Sequence, residues 1–303
     1  MAYYPNLPPK QFYGRPVRRR KRFPCFMGCL LILGTPFLCV VLCLGSYLVF
    51  PPKSTNIAIL GVDARPGERY LTRTDTFMLL NVKPSRLRVS LFSIPRDVYI
   101  DVPYYGEQRI NTINVLGEQE AEGNGPALVK ASVQQSFDIN VDYYVRLDFN
   151  GFVELVDAVG GIDIDVPHDI IDYDYPTTDG GTTTIEFQEG KQHMNGERAL
   201  QYARTRHADD DYHRAERQQI VVDALVRKLS NPVYWPAVLQ ALQNNMDTDM
   251  STWDMIRLAP GLLLGWPNSS SRVMDREDLL GRDAGYAIPN YDKMRPWIQS
   301  HFH

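Results

Sequence analysis

One apolar run constrains this chain more than any other feature. From Phe23 to Phe50 the sequence has no charged residue, and a helix of that length, at about 1.5 Å per residue, crosses a hydrocarbon core of roughly 30 Å. Gly and Pro interrupt the run, which membrane helices tolerate better than soluble ones. A cleaved signal peptide is the alternative, but its apolar region is only about 7–15 residues long and ends in small residues, whereas this run closes with YLVFPP. We predict a transmembrane signal-anchor over 23–50.

The charge beside this run predicts its orientation. Residues 1–22 contain seven Lys and Arg, including the block RRRKR, and no acid. The positive-inside rule therefore predicts a cytoplasmic N-terminus and an extracytoplasmic chain after Pro52. The same segment has no apolar period and is predicted to be disordered. Seven of the 32 Lys and Arg lie in this segment, so the rest of the chain has 25 cations against 36 acids and is net negative. A net negative surface does not favour binding of nucleic acid, whose affinity depends on contacts between cations and phosphates.

The cysteines exclude several kinds of site outside the membrane. All of them lie within the apolar run, at positions 25, 29, 39 and 43. The chain after Pro52 therefore has no disulfide framework, thiolate nucleophile or cysteine zinc site. It must be stabilised by its own core, for which about 250 residues suffice.

Hydrophobic periodicity predicts one α/β domain over 56–303, joined to the span by a linker over 51–55. Strands are predicted over 56–62, 75–82, 87–94, 143–149 and 162–167, and helices over 125–137, 151–159 and 214–229. Residues 172–190 suit a hairpin or an irregular loop, a short helix begins at 197–200, and 231–303 suit further helices with a looser tail. Strands that alternate with helices predict a sheet covered by helices on both faces. We find no internal repeat and no second domain.

Acids and arginines gather at the ends of the first three strands, as Asp63, Arg65, Arg73, Asp75, Arg96 and Asp97. If the first two strands are antiparallel neighbours, Asp63 and Asp75 meet at one end of the sheet. Two carboxylates at such an edge suit Mg²⁺, which commonly takes one or two carboxylates together with phosphate oxygens. Two plainer alternatives stay open: each Asp alone suits a turn, and Arg96 with Asp97 suits a local ion pair.

The densest charge lies in the segment RTRHADDDYHRAERQQ, from Arg204 to Gln219. The helix predicted over 214–229 would direct its N-terminal amides and partial positive charge at an anion. Arg214 and Gln218 share one face of it because they are four residues apart. Arginine's planar fork fits phosphate oxygens better than lysine does, and arginine stands at 65, 73, 96, 204, 206 and 214. The residues alone therefore predict a phosphate-binding site.

Asp211, just before that helix, is the candidate to accept a proton from an incoming hydroxyl. An N-cap is the plainer role for an Asp there, and Asp209 or Asp210 is an alternative base. Other polar residues are expected to be bystanders: Glu216 and Arg217 on a solvated helix face, and His207 and His213 without a metal-ligand spacing. The sequence has no Gly-x-Ser-x-Gly, His-Glu-x-x-His or phosphate-loop motif, which excludes the commonest serine, zinc and nucleotide enzymes.

Seven blocks carry a resemblance to a known family, in the order GVDAR, RTDTFMLL, VSLFSIPRD, YYGEQRIN, VDAVGGIDIDVP, ALQYARTRH and DDYHRAERQQ. From about Asn56 to Leu229 the sequence resembles the LytR-CpsA-Psr family. Its members are membrane-anchored phosphotransferases that move a glycan phosphate from a polyprenyl-pyrophosphate carrier onto peptidoglycan, forming a phosphodiester. The resemblance implies a three-layer α-β-α domain with a central mixed sheet and an apolar cavity for the prenyl chain, with 125–137 and 143–149 as candidate walls.

The resemblance also implies roles for individual residues. Asp63 and Asp75 would hold Mg²⁺ or Mn²⁺ against the pyrophosphate, and Asp211 would be the base. The pyrophosphate oxygens would be clamped by Arg96, Arg204, Arg206, Arg214 and Gln218, with Arg65 and Arg73 as secondary phosphate contacts or ion-pair partners.

The sequence departs from the family pattern in two places. The family usually has an aromatic-Gly pair between the acid and the arginine, where this chain has Tyr212-His213. A Gly-Gly is common around Gly117, where this chain has Leu116-Gly117-Glu118. The first change bears on the turn that holds the candidate base, and the second on a neighbouring loop.

Two alternative functions stay open at this point. The same site could pass the phosphate to water, as a lipid-linked pyrophosphate hydrolase, or could bind polyprenyl phosphates without catalysis, as a tether or sensor. A transcription regulator fits poorly, because a cytoplasmic part of about 22 residues is too short for a folded DNA-binding unit. The glycopolymer and its acceptor hydroxyl are not predicted by the sequence.

Overall fold

The structure is a computed structural model that describes residues 35, 38, 41–42, 45–63, 70–177, 180–205, 211–280 and 287–303. The chain divides into two compact units, Met1–Phe50 and Pro51–His303. In the first unit, residues 45–49 are helical, and most of the predicted span lies outside the described residues. Over the part that is described, no helix combines the length and the apolar character that crossing a bilayer requires.

The second unit alternates strands and helices. The strands are β1 (Thr55–Val62), β2 (Thr74–Lys83), β3 (Arg88–Ser93), β4 (Tyr99–Val102), β5 (Gly106–Arg109), β6 (Tyr143–Asp148), β7 (Ile162–Val166), β8 (Ile170–Pro176), β9 (Thr182–Phe187), β10 (Gly190–Met194), β11 (Met246–Thr248), β12 (Ser270–Val273), β13 (Leu279–Leu280) and β14 (Ile288–Pro289). The helices are α1 (Ile113–Glu120), α2 (Gly125–Phe137), α3 (Phe149–Ala158), α4 (Gly196–Arg204), α5 (Asp211–Leu229), α6 (Trp235–Asn245), α7 (Thr252–Gly265) and α8 (Tyr291–Phe302).

Among the described residues, six strands form a central mixed sheet in the order β11-β6-β1-β2-β3-β12. β1, β2 and β3 are successive antiparallel neighbours, whereas β6 runs parallel to β1 and β12 parallel to β3. The α/β fold class with a mixed sheet is confirmed. β8 and β9 pair as an antiparallel hairpin, as the sequence of 172–190 allowed.

Alternation of side chains along β1 and β2 divides the core into one layer on each face of the sheet. Leu60 and Leu79 point into the layer that α2 and α8 cover, and Ile57 and Leu80 point into the layer that α7 covers through Leu258. This is the period of two that a strand buried on both faces imposes. Helices therefore lie on both faces of the sheet, as predicted. A further core lies between α3, α4, α5 and the β7–β10 pair.

The two outer strands of the sheet come from the part of the sequence predicted to hold only helices and a looser tail. β11 pairs with β6 and β12 pairs with β3. Each is too short to show an alternating pattern of its own, so the prediction for residues 231–303 was wrong on this point.

Candidate active site

Arg96 lies at the centre of a cluster of charges beside the central sheet. It lies three residues after the end of β3, and its Nη1 donates to Asp75 Oδ1 at 3.1 Å. Its Nε lies 3.7 Å from Asp211 Oδ2 and 3.8 Å from Asp97 Oδ2. The segment after β3, the start of β2 and the first residue of α5 are thus brought to one point. Asp75, Arg96 and Asp211, which are separate in the sequence, therefore lie together in the structure.

Among the described residues, one donor of Arg96 is left without a hydrogen bond. The Nε atom is buried and has no hydrogen-bond partner among the described residues, because the carboxylates at 3.7 and 3.8 Å exceed hydrogen-bond range. Burial opposes the charge of Arg96, but Asp211 and Asp75 outweigh it and raise its pKa. The group is a permanent cation whose Nε has no acceptor within hydrogen-bond range among the described residues, which suits an anionic ligand.

Asp211 and Arg214 form the helical side of the cluster. α5 begins at Asp211, three residues earlier than predicted, so Asp211 belongs to the first turn instead of preceding the helix. Its Oδ1 pairs with Arg214 Nη1 at 2.9 Å, and Arg214 is only 5% exposed. A carboxylate in the first turn of a helix is favoured by the positive end of the helix dipole, which helps to place Asp211 between Arg96 and Arg214.

Asp97 completes this cluster and was assigned no role beyond a local ion pair with Arg96. Burial raises its pKa, and a hydrogen bond to Asp211 and the charge of Asp211 raise it further, while Arg96 and Arg109 partly offset the rise. Arg109 Nη1 lies 4.0 Å from Asp97 Oδ1, and nearly half of its side chain is exposed. Arg109 also donates from Nε to the Tyr99 hydroxyl at 2.8 Å. The site therefore has a half-exposed cation that sequence reasoning missed, although it lies in the quoted block YYGEQRIN.

Asp63 and Asp75 lie at the same end of the sheet. β1 and β2 are antiparallel neighbours, and Asp63 N donates to Arg73 O at 3.4 Å. The register shifts so that Gly61 faces Thr76 and Val62 faces Thr74. Asp75 is therefore the extra residue of a β-bulge, an irregularity that re-aims a side chain.

The donor set at this edge fits a hard divalent ion in chemical type. Asp63 and Asp75 are both partly exposed, and carboxylate oxygens are the ligands that Mg²⁺ prefers. Within the described ranges, no group of three or more His, Cys, Asp or Glu side chains is arranged to hold a metal. An ion here would take its remaining ligands from phosphate oxygens or water, as Mg²⁺ commonly does.

The remaining predicted phosphate ligands fall in different places. Arg65 and Arg206, with the alternative bases Asp209 and Asp210, lie outside the described residues. Arg73 is exposed beside Asp63. Arg204 stacks its guanidinium 3.9 Å from the Phe149 ring, and Gln218 donates to Ala203 O at 3.4 Å. Within the described part of the chain, neither Arg204 nor Gln218 contacts Arg96.

Arg217 is buried, and the prediction that it lies on a solvated helix face was wrong. It is 3% exposed, and its Nε donates to Tyr202 O at 3.2 Å. Its Nη2 donates to Thr205 O. These carbonyls end α4, so Arg217 joins the end of α4 to the first half of α5. Its spacing of three from Arg214 places both on one helix face, but the burial of that face depends on where α4 ends.

The departure at 212–213 leaves the cluster intact. His213 is exposed, and Arg276 lies over the Tyr212 ring at 5.5 Å. Neither residue separates Asp211 from Arg214, which form their ion pair within one helical turn.

A profile of the LytR_cpsA_psr family matches residues 51–271, and known proteins are similar to this chain. The polyisoprenyl-teichoic acid–peptidoglycan teichoic acid transferase TagU of Oceanobacillus iheyensis is 31% identical over 229 residues, which are 74% of this chain and 66% of TagU. The chain thus spans slightly less than two thirds of that relative.

Solved structures share the fold. Bacillus subtilis TagV superposes with a TM-score of 0.66 and 27% identity, over 82% of this chain and 97% of TagV. TagT bound to LI-WTA gives a TM-score of 0.64 and 25% identity, over 82% of this chain and 91% of TagT.

Proposed function

The chain belongs to the LytR-CpsA-Psr family, and on that premise we propose that it is a phosphotransferase of cell-wall assembly. It moves a glycan phosphate from a polyprenyl-pyrophosphate carrier to a peptidoglycan hydroxyl. The names of its relatives, teichoic acid–peptidoglycan transferases, support a glycopolymer donor and a peptidoglycan acceptor. The single observation that carries the proposal is the cluster in which part-buried Arg96 and buried Arg214 are held by Asp75 and Asp211.

The cluster suits a replacement of its Asp carboxylates by the pyrophosphate of a substrate as the partners of the arginines. Without substrate, the carboxylates of Asp75 and Asp211 neutralise the two guanidinium groups. A pyrophosphate would supply the acceptor that Arg96 Nε lacks among the described residues and would draw Arg214 from Asp211. Charge-assisted bonds to phosphate are short and often bidentate for arginine. Substrate binding would in this way release Asp211 to act as a base.

The proposed reaction is one displacement at phosphorus. The acceptor hydroxyl oxygen attacks the phosphorus that bears the glycan, the bond from that phosphorus to the bridging oxygen breaks, and polyprenyl phosphate leaves with that oxygen. Asp211 accepts the hydroxyl proton. Arg96 and Arg214 hold the charge on the pyrophosphate oxygens, which is the main contribution of protein groups to phosphoryl transfer.

Asp63 and Asp75 are the residues that would hold Mg²⁺ or Mn²⁺. When bound, such an ion neutralises pyrophosphate charge and orients its oxygens. The bulge at Asp75 and the adjacent strand end at Asp63 supply two carboxylates at one edge, leaving the other positions to substrate.

We also propose that the apolar run 23–50 anchors the chain in the cell membrane, with residues 1–22 cytoplasmic and the catalytic unit outside. The run's length and its flanking cations support this proposal. A single span would keep the site near a donor that is itself dissolved in the lipid.

The test follows polyprenyl phosphate release from a polyprenyl-pyrophosphate glycan by the full chain in detergent with Mg²⁺. It is run with and without a peptidoglycan fragment, beside Asp75→Ala and Arg214→Ala. Arg227→Ala is the matched control, because Arg227 is also an arginine of α5 but is largely exposed. We expect acceptor-dependent release that both site variants abolish and the control retains.

The other outcomes separate the alternatives. Release without the acceptor would mean a hydrolase, and tight binding without release would mean a tether. Retained activity in Arg214→Ala would place the chemistry elsewhere in the chain.

A further inference from the structure

A buried ionic network lies beside the candidate active site but is not part of it. Arg146 on β6 is 2% exposed, and its Nη1 pairs with Glu118 Oε1 at 2.6 Å. Its Nη2 pairs with Asp247 Oδ2 at 2.7 Å, and its Cζ lies 3.9 Å from the centre of the Tyr70 ring. Burying a charge is costly unless it is paired and hydrogen-bonded. Arg146 meets that condition with two carboxylates.

Asn114 links this network to the backbone that leads into β2. It is fully buried, and its Oδ1 accepts from Arg146 Nη1 at 2.8 Å. Its Nδ2 donates to Tyr70 O at 2.9 Å and to Thr72 O at 3.2 Å. The segment from Tyr70 to Thr72 is thus held by one side chain that Arg146 itself orients. Asp75 follows Thr72 by three residues.

A glycine makes room for this arrangement. A Cβ on Gly125 would lie 2.6 Å from Asn114 Oδ1 and 2.8 Å from Glu118 Oε1, distances that real Cβ atoms essentially never show. Glu118 also accepts from Gly123 N at 2.7 Å through its other oxygen. The Glu at 118, which departs from the family's common Gly-Gly, is therefore a buried partner of Arg146 and not a loop residue without a role.

We propose that Asn114, Glu118 and Arg146 are positioning residues, which fix the backbone from Tyr70 to Thr72 and thereby the placement of Asp75 in the site. The inference rests on the proposed function for the role of Asp75. Among the described residues, none of the three contacts Arg96, Asp97, Asp211 or Arg214. We therefore infer that they act through the backbone. At this point of the fold, the chain has a buried ion pair where the family commonly has Gly-Gly.

The test compares full-length wild type with Asn114→Asp, Glu118→Gln and Gly125→Ala. Asn114→Asp is nearly isosteric but removes both donations to the carbonyls, and Glu118→Gln keeps the shape of the side chain and removes its charge. Ile164→Ala is the control for stability alone, because Ile164 lies on β7 in a different core. The unfolding temperature of each variant is measured first. Each variant is then assayed at the same number of degrees below its own unfolding temperature.

Two readouts distinguish positioning from general stability. The first is hydrogen exchange of the backbone amides of residues 72–75. The second is affinity for farnesyl pyrophosphate with Mn²⁺, measured by titration calorimetry. We expect faster exchange in Asn114→Asp and Gly125→Ala, a smaller change in Glu118→Gln, and affinity lowered roughly 10-fold or more, as for other partners that orient ligand-binding groups. Ile164→Ala should change neither.

Each remaining outcome decides a different claim. Unchanged exchange at 72–75, or faster exchange with wild-type affinity, would overturn the positioning inference and leave the proposed function standing. Absence of farnesyl pyrophosphate binding by the wild type would count against the proposed function. The exchange data would then still decide whether the network orders residues 72–75.

Discussion

Arg96 shows how one side chain can organise a site before any substrate arrives. Its guanidinium bonds Asp75 and lies near Asp97 and Asp211, so acids from three places in the sequence are held around one cation. A guanidinium can do this because its donors lie in a rigid planar fork, whereas the ammonium of lysine is a single compact charge. The geometry of the cluster depends on the arginine and not on positive charge alone.

Arg96→Lys should therefore lower activity although it keeps the charge. We expect kcat for polyprenyl phosphate release to fall roughly 100-fold, the usual effect of removing one donor that stabilises a transition state. The unfolding temperature is measured alongside to separate loss of function from loss of fold. Activity within a few-fold of wild type would show that a point charge suffices here.

Asp97 leads to a prediction about pH. Its pKa is raised, first by burial and then by Asp211, so folding favours its protonated form. Its contribution to stability is present below the ordinary Asp pKa of about 3.9 and is lost as pH rises through the higher folded value. Asp97→Asn, which cannot ionise, should unfold at the same temperature as wild type near pH 3.5 and at a higher temperature at pH 7.

Thermal melts across this pH range test that sign. The control is Asp223→Asn, which changes a partly exposed Asp of α5 that pairs with Arg227 and accepts from Trp266 Nε1 and should show no such gain at neutral pH. A lower unfolding temperature for Asp97→Asn at pH 7 would mean that its pairing with Arg96 and Arg109 outweighs its burial.

At the scale of elements, the junction between α4 and α5 determines how the helical side of the site is placed. Arg217 donates from α5 to Tyr202 O and Thr205 O at the end of α4. Carbonyls at a helix end lack partners within the helix, so a buried guanidinium that bonds two of them also satisfies the helix terminus. Asp211 and Arg214 are carried on the same helix, within two turns of Arg217.

Removing that junction should cost stability. Each hydrogen bond from a charged donor contributes about 1.5–3 kcal/mol, so Arg217→Leu should lower the free energy of unfolding by about 3 kcal/mol or more. In a unit of this size the unfolding temperature should fall by roughly 6–12 °C. Glu216→Ala, one residue away on the exposed face, is the matched control and should change the free energy by less than about 0.5 kcal/mol. Equal effects of the two substitutions would contradict the role assigned to Arg217.

The elements show which parts of the fold the sequence could predict. β1, β2, β3 and α2 have long apolar patterns, and their bounds agree with the prediction to within one residue at each end. The sequence pattern did not predict β11 and β12, because strands this short are specified by their neighbours in the sheet and not by their own periodicity. The same limit applies to single residues: Asp63 and Asp75 followed from strand order, but the burial of Arg217 depends on where α4 ends, which local sequence does not state.

For the whole molecule, the division at Phe50 makes a prediction about what the N-terminal part contributes. Pro51–His303 forms a compact unit of its own, with cores on both faces of the sheet and a further core beside it. We therefore expect folding and chemistry to reside in this unit, and we expect the apolar run only to hold it at the membrane.

Deletion of residues 1–50 should separate these contributions. We expect the shortened chain to unfold cooperatively at the temperature of the full chain and to release phosphate from a water-soluble, short-chain polyprenyl-pyrophosphate glycan at the same rate. With a long-chain donor in lipid vesicles its rate should fall at least 10-fold, since tethering raises the effective concentration of a site near its partner. A full chain carrying three Asp in place of Leu31, Leu33 and Leu38 is the matched control, because it keeps the length and breaks the apolar run. Equal vesicle rates for all three proteins would contradict the anchor, while a shortened chain that fails to fold would contradict the independence of the catalytic unit.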